Sequence, residues 1–367
     1  MSTAVAPGSI AVGRIALEAV RQHVELAAYC WAQRDTLSLD DPADVETIRE
    51  IDQRVDANLD GLRIAGPAAW PVIETVIEDF PEKGELFVAG WTAIEQSDLQ
   101  RLDKAVALGA QLDQPRGLVG ALAWHTLAKI GPILRGWVDE HDGFKRYLGV
   151  AACAEHKLDP KQWLDRLVSD PDPRVRATAL RLAGTLGRAD LVAHVGDALN
   201  ANDESVRLWA GWALTELGRA DLAGAELRRA AVAGGPDALF PLRAPIKAGP
   251  EKDGKAWMGG LMQAPATAPV AVRGVGMLGD RSVLAWLIER MREPQMAVAA
   301  LAAFLELFPE AREETKLFTV DPEELGPAFA RCFQDDVVTL ALPGRVEAWR
   351  VEQLAPTEGA PITSSAG

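Results

Sequence analysis

The amino-acid sequence predicts an all-α protein built as an α-solenoid, in which short helix pairs stack one after another. Two related segments support this most directly, DPDPRVRATALRLAGTLGRADL at 170–191 and ANDESVRLWAGWALTELGRADL at 201–222. Their shared GRADL runs begin at Gly187 and Gly218, 31 residues apart, a period typical of helical arrays. The composition agrees, because 48% of residues are hydrophobic with only 2 Tyr and 9 Phe, which favours close packing of helices rich in Ala and Leu.

The first helix of each repeat has a capping residue at its start, an apolar stripe along one face and a glycine at its end. Asp170 or Asp172 can cap it, and the proline after each suits a first helical turn. Apolar residues then follow at intervals of three or four, namely Val175, Ala179, Leu182 and Leu186. Gly187 ends the helix, because glycine adopts a left-handed backbone at little cost. Asp190 begins a second short helix, and neighbouring pairs must stack to bury both faces.

Weaker copies of this pattern extend the array in both directions and set the predicted domain bounds. They read GLVGALAW at 117–124, FKRYLGVAA at 144–152, PVAVRGVGMLGD at 269–280 and PQMAVAALAAF at 294–304. We therefore predict a repeat array over residues 67–310.

The ends of the chain differ from the repeats. Residues 1–66 are predicted to form a long helical hairpin that caps the array, with helices from about residue 10 to 36 and from 42 to 65. Residues 311–354 form an irregular segment, in which 337–342 indicates a strand or an irregular edge. Residues 355–367 form a polar tail of small residues, which predicts disorder.

Charge and cysteine content restrict the class of partner and the compartment. The net charge is −15, from 53 Asp and Glu against 38 Lys and Arg. Phosphate neutralisation therefore cannot supply the main binding energy, which argues against a nucleic-acid partner. A negative field instead steers basic or mixed-charge proteins. Three scattered cysteines and the lack of an apolar run near the roughly 20 residues of a membrane span predict a cytoplasmic protein with no membrane insertion.

The sequence lacks the motifs of common catalytic chemistries, including G-x-S-x-G, the phosphate-binding G-x-x-x-x-G-K-[ST] and H-E-x-x-H. Residues 139–142, Asp-Glu-His-Asp, are the most ligand-like cluster, but we interpret them as a solvated turn. Cys153 and His156 share a helix face without the two further ligands that zinc needs. We therefore expect a protein that is not an enzyme, with no cofactor and no metal.

Equivalent arginines in the two clearest repeats are candidate partner-binding residues. Arg176 and Arg207 would stack as a ladder, with Asp172 and Asp203 as capping or ladder partners. A ladder of this kind either stabilises neighbouring repeats or contacts a partner.

The tryptophans form a second set of candidates, since 11 Trp is a high number for this chain. Trp209 and Trp212 lie three apart on one predicted helix, and Trp91 and Trp124 hold comparable places in other units. Such residues either fill the seam between helix layers or act as exposed binding hot spots.

Two N-terminal stretches resemble the signature of an uncharacterised family of bacterial HEAT-like repeat proteins, some of which are encoded near type VI secretion genes. They read HVELAAYCWAQR at 23–34 and IDQRVDANLDGLRIAG at 51–66. The resemblance implies HEAT-like repeats and a cytoplasmic accessory or adaptor role. This chain has Asn58 where the family pattern has a histidine, a departure that argues against a titrating or ligating role for this position.

Polar residues in these two stretches complete the set of predicted partner-binding residues. They either join the two hairpin helices through a paired network or form a docking patch, because an unpaired buried charge is costly. The full predicted set is His23, Arg34, Asp52, Arg54, Arg176, Arg207, Trp209 and Trp212.

The sequence thus predicts a scaffold or adaptor that binds another protein, such as an effector, a toxin or a secretion component. An immunity protein that neutralises a toxin encoded beside it is the first alternative. An enzyme with a dispersed site, around 139–142 or His156, is the second. The oligomeric state stays open.

Overall fold

The computed structural model describes residues 16–40, 42–233, 242–244, 246 and 251–354. These residues form 19 α-helices and a two-stranded sheet, and the predicted all-α solenoid is confirmed. Contacts divide the chain into two compact units, Met1–Trp209 and Ala210–Gly367. The predicted domain bounds at 66, 310 and 354 stay predictions, and the tail at 355–367 lies outside the described residues.

The first unit contains helices and no strand among its described residues. Its helices are α1 (Leu17–Leu37), α2 (Val45–Ala65), α3 (Trp70–Asp79), α4 (Lys83–Glu95), α5 (Leu99–Leu112), α6 (Arg116–Ala123), α7 (Leu127–Trp137), α8 (Gly143–Glu155), α9 (Gln162–Leu167), α10 (Pro173–Thr185) and α11 (Val192–Asp197), with α12 (Glu204–Glu216) crossing into the second unit. Short 3-10 helices span Gly66–Ala69, Ala189–Leu191 and Ala198–Asn200. Helices α4, α6, α8 and α10 pack in succession, each against the next.

The second unit contains the remaining helices and the sheet. They are α13 (Ala220–Ala233), α14 (Glu251–Leu261), α15 (Ala268–Met277), α16 (Leu284–Met291), α17 (Pro294–Leu307), α18 (Pro327–Cys332) and α19 (Pro343–Leu354), with strands β1 (Phe318–Thr319) and β2 (Leu340–Ala341). The strands pair antiparallel, and β2 falls inside the stretch where a strand or irregular edge was expected. Further 3-10 helices span Arg281–Val283, Pro309–Glu313, Thr315–Leu317 and Pro322–Leu325.

The N-terminal hairpin forms because two apolar stripes face each other. Val24, Ala27 and Trp31 of α1 are buried, as are Val55 and Leu59 of α2, and α1 also packs against α4. The side chain of Asp44 accepts a hydrogen bond from the backbone N–H of Thr47 at 3.1 Å, so α2 begins at Val45 rather than at residue 42. The predicted first helix began near residue 10, and residues 10–15 lie outside the described ranges.

The repeat signals act largely as predicted. Asp172 caps α10, because its side chain accepts from the backbone N–H of Arg174 at 2.9 Å, whereas Asp170 accepts from Arg146 at 2.8 Å and 3.0 Å. Gly187 has φ +66° and Gly218 has φ +77°, the left-handed backbone that glycine tolerates best. The capping alternative is thereby decided in favour of Asp172.

The GRADL run holds the turns after α10 and α12 through an arginine–aspartate pair. Arg188 Nε donates to Asp190 at 2.9 Å, and Arg219 Nε donates to Asp221 at 3.0 Å. Arg188 also reaches Asp165 at 2.6 Å. Asp190 is therefore fixed by the arginine two residues before it, and the second helix follows through a 3-10 turn at Ala189–Leu191.

Three aromatic rings lie in the mainly aliphatic core of the second unit. Phe304 and Phe308 meet Trp349 edge to face, with centroid distances of 5.5 Å and 5.6 Å, so α17 and α19 pack through these rings. No helix among the described residues has both the length and the apolar character to cross a membrane.

Candidate functional site

The first unit contains a cavity of about 510 Å³ between α2, the end of α4 and the turn from α6 to α7. We call it the N-terminal pocket. Its polar and aromatic lining combines three carboxylates, two cations, two indoles and an imidazole, which are Asp56, Asp60, Glu95, Arg63, Lys129, Trp91, Trp124 and His125. This concentration of polar groups around an open volume makes it the best candidate functional site in the described part of the chain.

Helical spacing aims these side chains at one place. Asp56, Asp60 and Arg63 lie four and three residues apart on α2, and such positions share a helix face. Trp91 and Glu95 are likewise four apart on α4. Trp124 and His125 directly follow α6, and Lys129 lies in the first turn of α7. Three separate segments therefore contribute to one pocket.

Glu95 is the central carboxylate of the pocket. It accepts from Lys129 Nζ at 2.5 Å and from Arg63 Nε at 2.9 Å, and Arg63 also pairs with Asp60. Burial opposes ionisation of Glu95, but the hydrogen bonds from Lys129 and Arg63 outweigh it and hold the pKa of Glu95 below its ordinary value. Glu95 therefore stays ionised at neutral pH and keeps both cations in place.

His125 is fixed in one tautomer. Its side chain is only 5% exposed, and Nε2 lies 3.1 Å from the carbonyl oxygen of Trp91, so Nε2 carries the proton because a carbonyl only accepts. Burial lowers the pKa of His125 below its ordinary value. The ring is therefore neutral at pH 7, and Nδ1, at 3.7 Å from Glu95 Oε2, is an acceptor that faces another acceptor.

The aromatic wall is held by cations and by a carboxylate. Arg63 lies over the Trp91 ring at 5.4 Å, and Arg34 lies over the Trp124 ring at 5.7 Å. The indole Nε1 of Trp124 donates to Asp56 at 2.7 Å. Since each ring has defined neighbours, the pocket wall is preorganised.

None of the four hairpin residues predicted to bind a partner is among the residues that line the pocket, but two of their contacts join α1 to α2. Arg34 Nε donates to Asp52 at 3.1 Å, and His23 Nδ1 lies 3.1 Å from Asn58 Oδ1. Arg54 is exposed, and its carbonyl accepts from Asn58 Nδ2 at 2.8 Å. The pairs Arg34–Asp52 and His23–Asn58 are therefore two polar contacts between the helices, and the role of the four residues in partner binding stays a prediction. Arg34 connects the first pair to the pocket through Trp124.

The other four predicted residues lie elsewhere. Arg176 lines a separate cavity of about 400 Å³ beside the turns of successive repeats, and its Nε donates to the Val168 carbonyl at 3.2 Å. Arg207 Nη1 donates to the carbonyls of Ala201 and Asn202, both at 2.8 Å. These contacts tie each arginine to the turn before its own helix. Asp172 and Asp203, expected as capping or ladder partners, accept from the backbone N–H groups of Arg174 and Val206, both at 2.9 Å.

The two tryptophans of α12 differ in their surroundings. Trp209 is buried, with the guanidinium of Arg181 at 5.1 Å above its ring. Trp212 is half-buried and belongs to the second unit. Their role in partner binding stays a prediction.

The ligand-like groups noted in the sequence have structural partners. Asp142 caps α8 by accepting from the backbone N–H of Phe144 at 2.8 Å, and Asp139 pairs with Arg166 at 2.7 Å. Burial raises the pKa of Cys153 to about 12, so it is a protonated thiol at neutral pH. Among the described residues, no group of three or more His, Cys, Asp or Glu side chains is arranged to hold a metal ion.

Sequence reasoning missed Glu95, His125 and Lys129, although the repeat offset gives a signal for His125. His125 and His156 lie 31 residues apart. Each ring places Nε2 beside a carbonyl 34 residues earlier, Trp91 O at 3.1 Å and Leu122 O at 3.2 Å. Aligning the units by this offset would have identified the two histidines as equivalent.

Comparison with protein families matches residues 160–238 to HEAT repeats. The matched segment is therefore similar to HEAT repeats. It covers both GRADL runs and the helices around them, and the N-terminal pocket precedes it. A comparison with curated proteins finds no match.

Proposed function

We propose that this chain is a non-catalytic scaffold or adaptor that binds another protein and uses the N-terminal pocket as a docking point. The pocket itself is the main support, because it combines an open volume of about 510 Å³ with preorganised indoles and charged groups. The HEAT-like repeats at 160–238 add support, since stacked helix pairs create extended surfaces that bind other proteins.

The protonation states in the pocket favour binding over acid–base catalysis. A general base works best with a pKa near the working pH. The pKa of Glu95 is lowered beneath two cations, and that of His125 is lowered by burial. His156 and Asp142, at the places considered for a dispersed enzymatic site, contact backbone groups instead.

The proposed cellular role rests on the family resemblance of residues 23–34 and 51–66. An accessory of type VI secretion in the cytoplasm, binding an effector or a secretion component, agrees with it. The net charge of −15 also suits an immunity protein for a basic toxin. Gene neighbourhood distinguishes them: a small toxin gene directly upstream favours immunity, and secretion-spike genes favour the adaptor.

Affinity capture with the full chain tests the docking point. Asp60→Lys reverses a charge whose side chain is 66% exposed at the pocket, and Glu74→Lys makes the same change at an exposed site on α3. We expect the wild type and Glu74→Lys to retain the same partner and Asp60→Lys to lose it. A wild-type chain that retains no partner under mild conditions would refute the scaffold. Equal retention by the wild type, Glu74→Lys and Asp60→Lys would show that the pocket is not the docking point.

A further inference from the structure

We propose that the N-terminal pocket binds the guanidinium group of an arginine side chain, presented by a basic segment of the partner. This inference rests on the proposed function and specifies the chemistry of the docking point. Its support is the charge of the pocket, its unsatisfied acceptors and its size.

The charge of the pocket lining favours a cation. The carboxylates are Asp56, Asp60 and Glu95, and the cations are Arg63 and Lys129, so one negative charge is uncompensated. Lys129 is bound to Glu95, and Arg63 is shared between Glu95 and Asp60. Within the described residues, Asp56 accepts from the Trp124 indole at 2.7 Å and pairs with no cation. An incoming cation would neutralise the pocket.

The unsatisfied acceptors favour a ligand that only donates. His125 is more than nine-tenths buried, and its unprotonated Nδ1 lies 3.7 Å from Glu95 Oε2. This distance is too long for a hydrogen bond, and the carboxylate oxygen is also an acceptor. Asp56 has lone pairs beyond the one used by Trp124. A guanidinium offers five N–H donors in a planar fork and no acceptor.

Arginine suits this pocket better than lysine. An ammonium is a compact and strongly hydrated charge with three donors, whereas a guanidinium is weakly hydrated and reaches acceptors several ångströms apart. The acceptors here lie on different segments, with Asp56 on α2 and His125 after α6. The volume of about 510 Å³ lies within the range of about 300–1,000 Å³ that is typical of ligand pockets.

The Trp124 indole can report whether a ligand occupies the N-terminal pocket. The chain's own guanidinium groups already cover Trp91 and Trp124, at 5.4 Å and 5.7 Å, so ligand selection depends on charge and acceptors. The Trp124 indole N–H is bonded to Asp56. A guanidinium that engages Asp56 therefore changes the environment of this N–H directly.

Titration of the full chain with N-acetyl-arginine amide, followed by the ¹⁵N-labelled tryptophan indole signals in NMR, tests the proposal. N-acetyl-citrulline amide is the matched neutral probe, and Trp124→Phe assigns the signal. We expect the Trp124 signal to shift saturably with the arginine probe and to stay in place with citrulline. Asp56→Asn keeps an acceptor for the indole but removes the charge, and should weaken binding about tenfold.

Two further variants separate this effect from damage to the fold. Asp113→Asn removes an exposed carboxylate that pairs with Arg174 outside the pocket and should leave binding within about twofold of the wild type, because exposed charges at a distance are screened. Lys129→Gln makes the pocket more negative, so it should strengthen binding severalfold, a gain that a damaged fold would not produce.

The proposal is wrong if citrulline shifts the Trp124 signal as strongly as arginine, if no saturable shift occurs, or if Asp56→Asn and Asp113→Asn weaken binding equally. Affinity capture distinguishes this failure from that of the proposed function. A partner retained equally by the wild type and Asp56→Asn contradicts only the arginine site. A wild-type chain that retains no partner contradicts the scaffold.

Discussion

Asp35 of α1 and Arg116 of α6 form a two-bond ion pair, with Nη2–Oδ1 at 2.5 Å and Nε–Oδ2 at 2.9 Å. Lys83 of α4 donates to the same carboxylate at 2.8 Å. The Asp35 side chain is only 7% exposed, so one buried carboxylate connects the N-terminal hairpin to two helices of the array. Burial opposes its ionisation, but Arg116 and Lys83 outweigh it and lower the pKa of Asp35.

Asp35→Asn should destabilise the first unit. The substitution leaves two cations beside a neutral amide, and breaking a buried pair costs about 3–5 kcal/mol, a range we reduce to about 2 kcal/mol because Arg116 is half exposed. Urea unfolding followed by circular dichroism measures the change. Asp113→Asn, at an exposed ion pair, should cost less than about 0.5 kcal/mol. Equal effects of the two substitutions would contradict a special role for Asp35.

Glu306 should make the second unit sensitive to acid. Hydrogen bonds from Arg243 at 2.7 Å and Arg273 at 3.0 Å lower the pKa of Glu306 to about 2 against burial. Because the folded pKa lies below the unfolded value near 4.5, the stabilisation is present above pH 4.5 and is lost as pH falls toward 2. At neutral pH it amounts to about 3 kcal/mol.

The measurement compares the wild type with Glu306→Gln in urea at several pH values. The difference in free energy of unfolding should be largest above pH 4.5 and shrink on acidification. A difference that stays constant from neutral pH to pH 3 would show that the carboxylate charge is not its source.

Gly61 and His23 should be coupled in stability. A β-carbon at position 61 would lie 2.5 Å from the His23 ring, so Gly61→Ala must displace the imidazole that contacts Asn58. We expect Gly61→Ala to destabilise the wild type by about 1 kcal/mol and to stabilise a His23→Ala background, where helix propensity alone acts. A double-mutant cycle from urea unfolding gives the coupling. Additive effects would show that the ring moves aside without cost.

Gly187 should tolerate alanine poorly although nothing lies within 4 Å of its added β-carbon. Its φ of +66° is unfavourable for a residue with a β-carbon, so Gly187→Ala should cost about 1 kcal/mol. Gly136 also has open space but lies inside α7, and Gly136→Ala should stabilise by about 0.5 kcal/mol or more. Thermal unfolding of both variants checks the opposite signs, and a shared sign would contradict the backbone argument.

The repeat and its local signals could be predicted from the amino-acid sequence alone. The period of 31, the apolar stripe from Val175 and the glycine at 187 all act within one or two helical turns or recur by simple offset. These features follow from backbone sterics and helical periodicity, which need no knowledge of distant residues. The same is true of the hairpin, where two apolar stripes already imply two facing helices.

The contacts between polar residues of different helices could not be predicted without the tertiary structure. The sequence placed Arg34 and Asp52 in a network, but it gave no reason to join them to Glu95, His125 and Lys129, which belong to later helices. The sequence also left Asp170 and Asp172 as equal candidates for the cap of α10. In the structure, Arg146 from the preceding repeat donates a hydrogen bond to Asp170, and Asp172 forms the cap. Such contacts between side chains depend on the register between packed helices. That register is set by the fit of buried side chains across the interface, and spacing along one helix does not encode it.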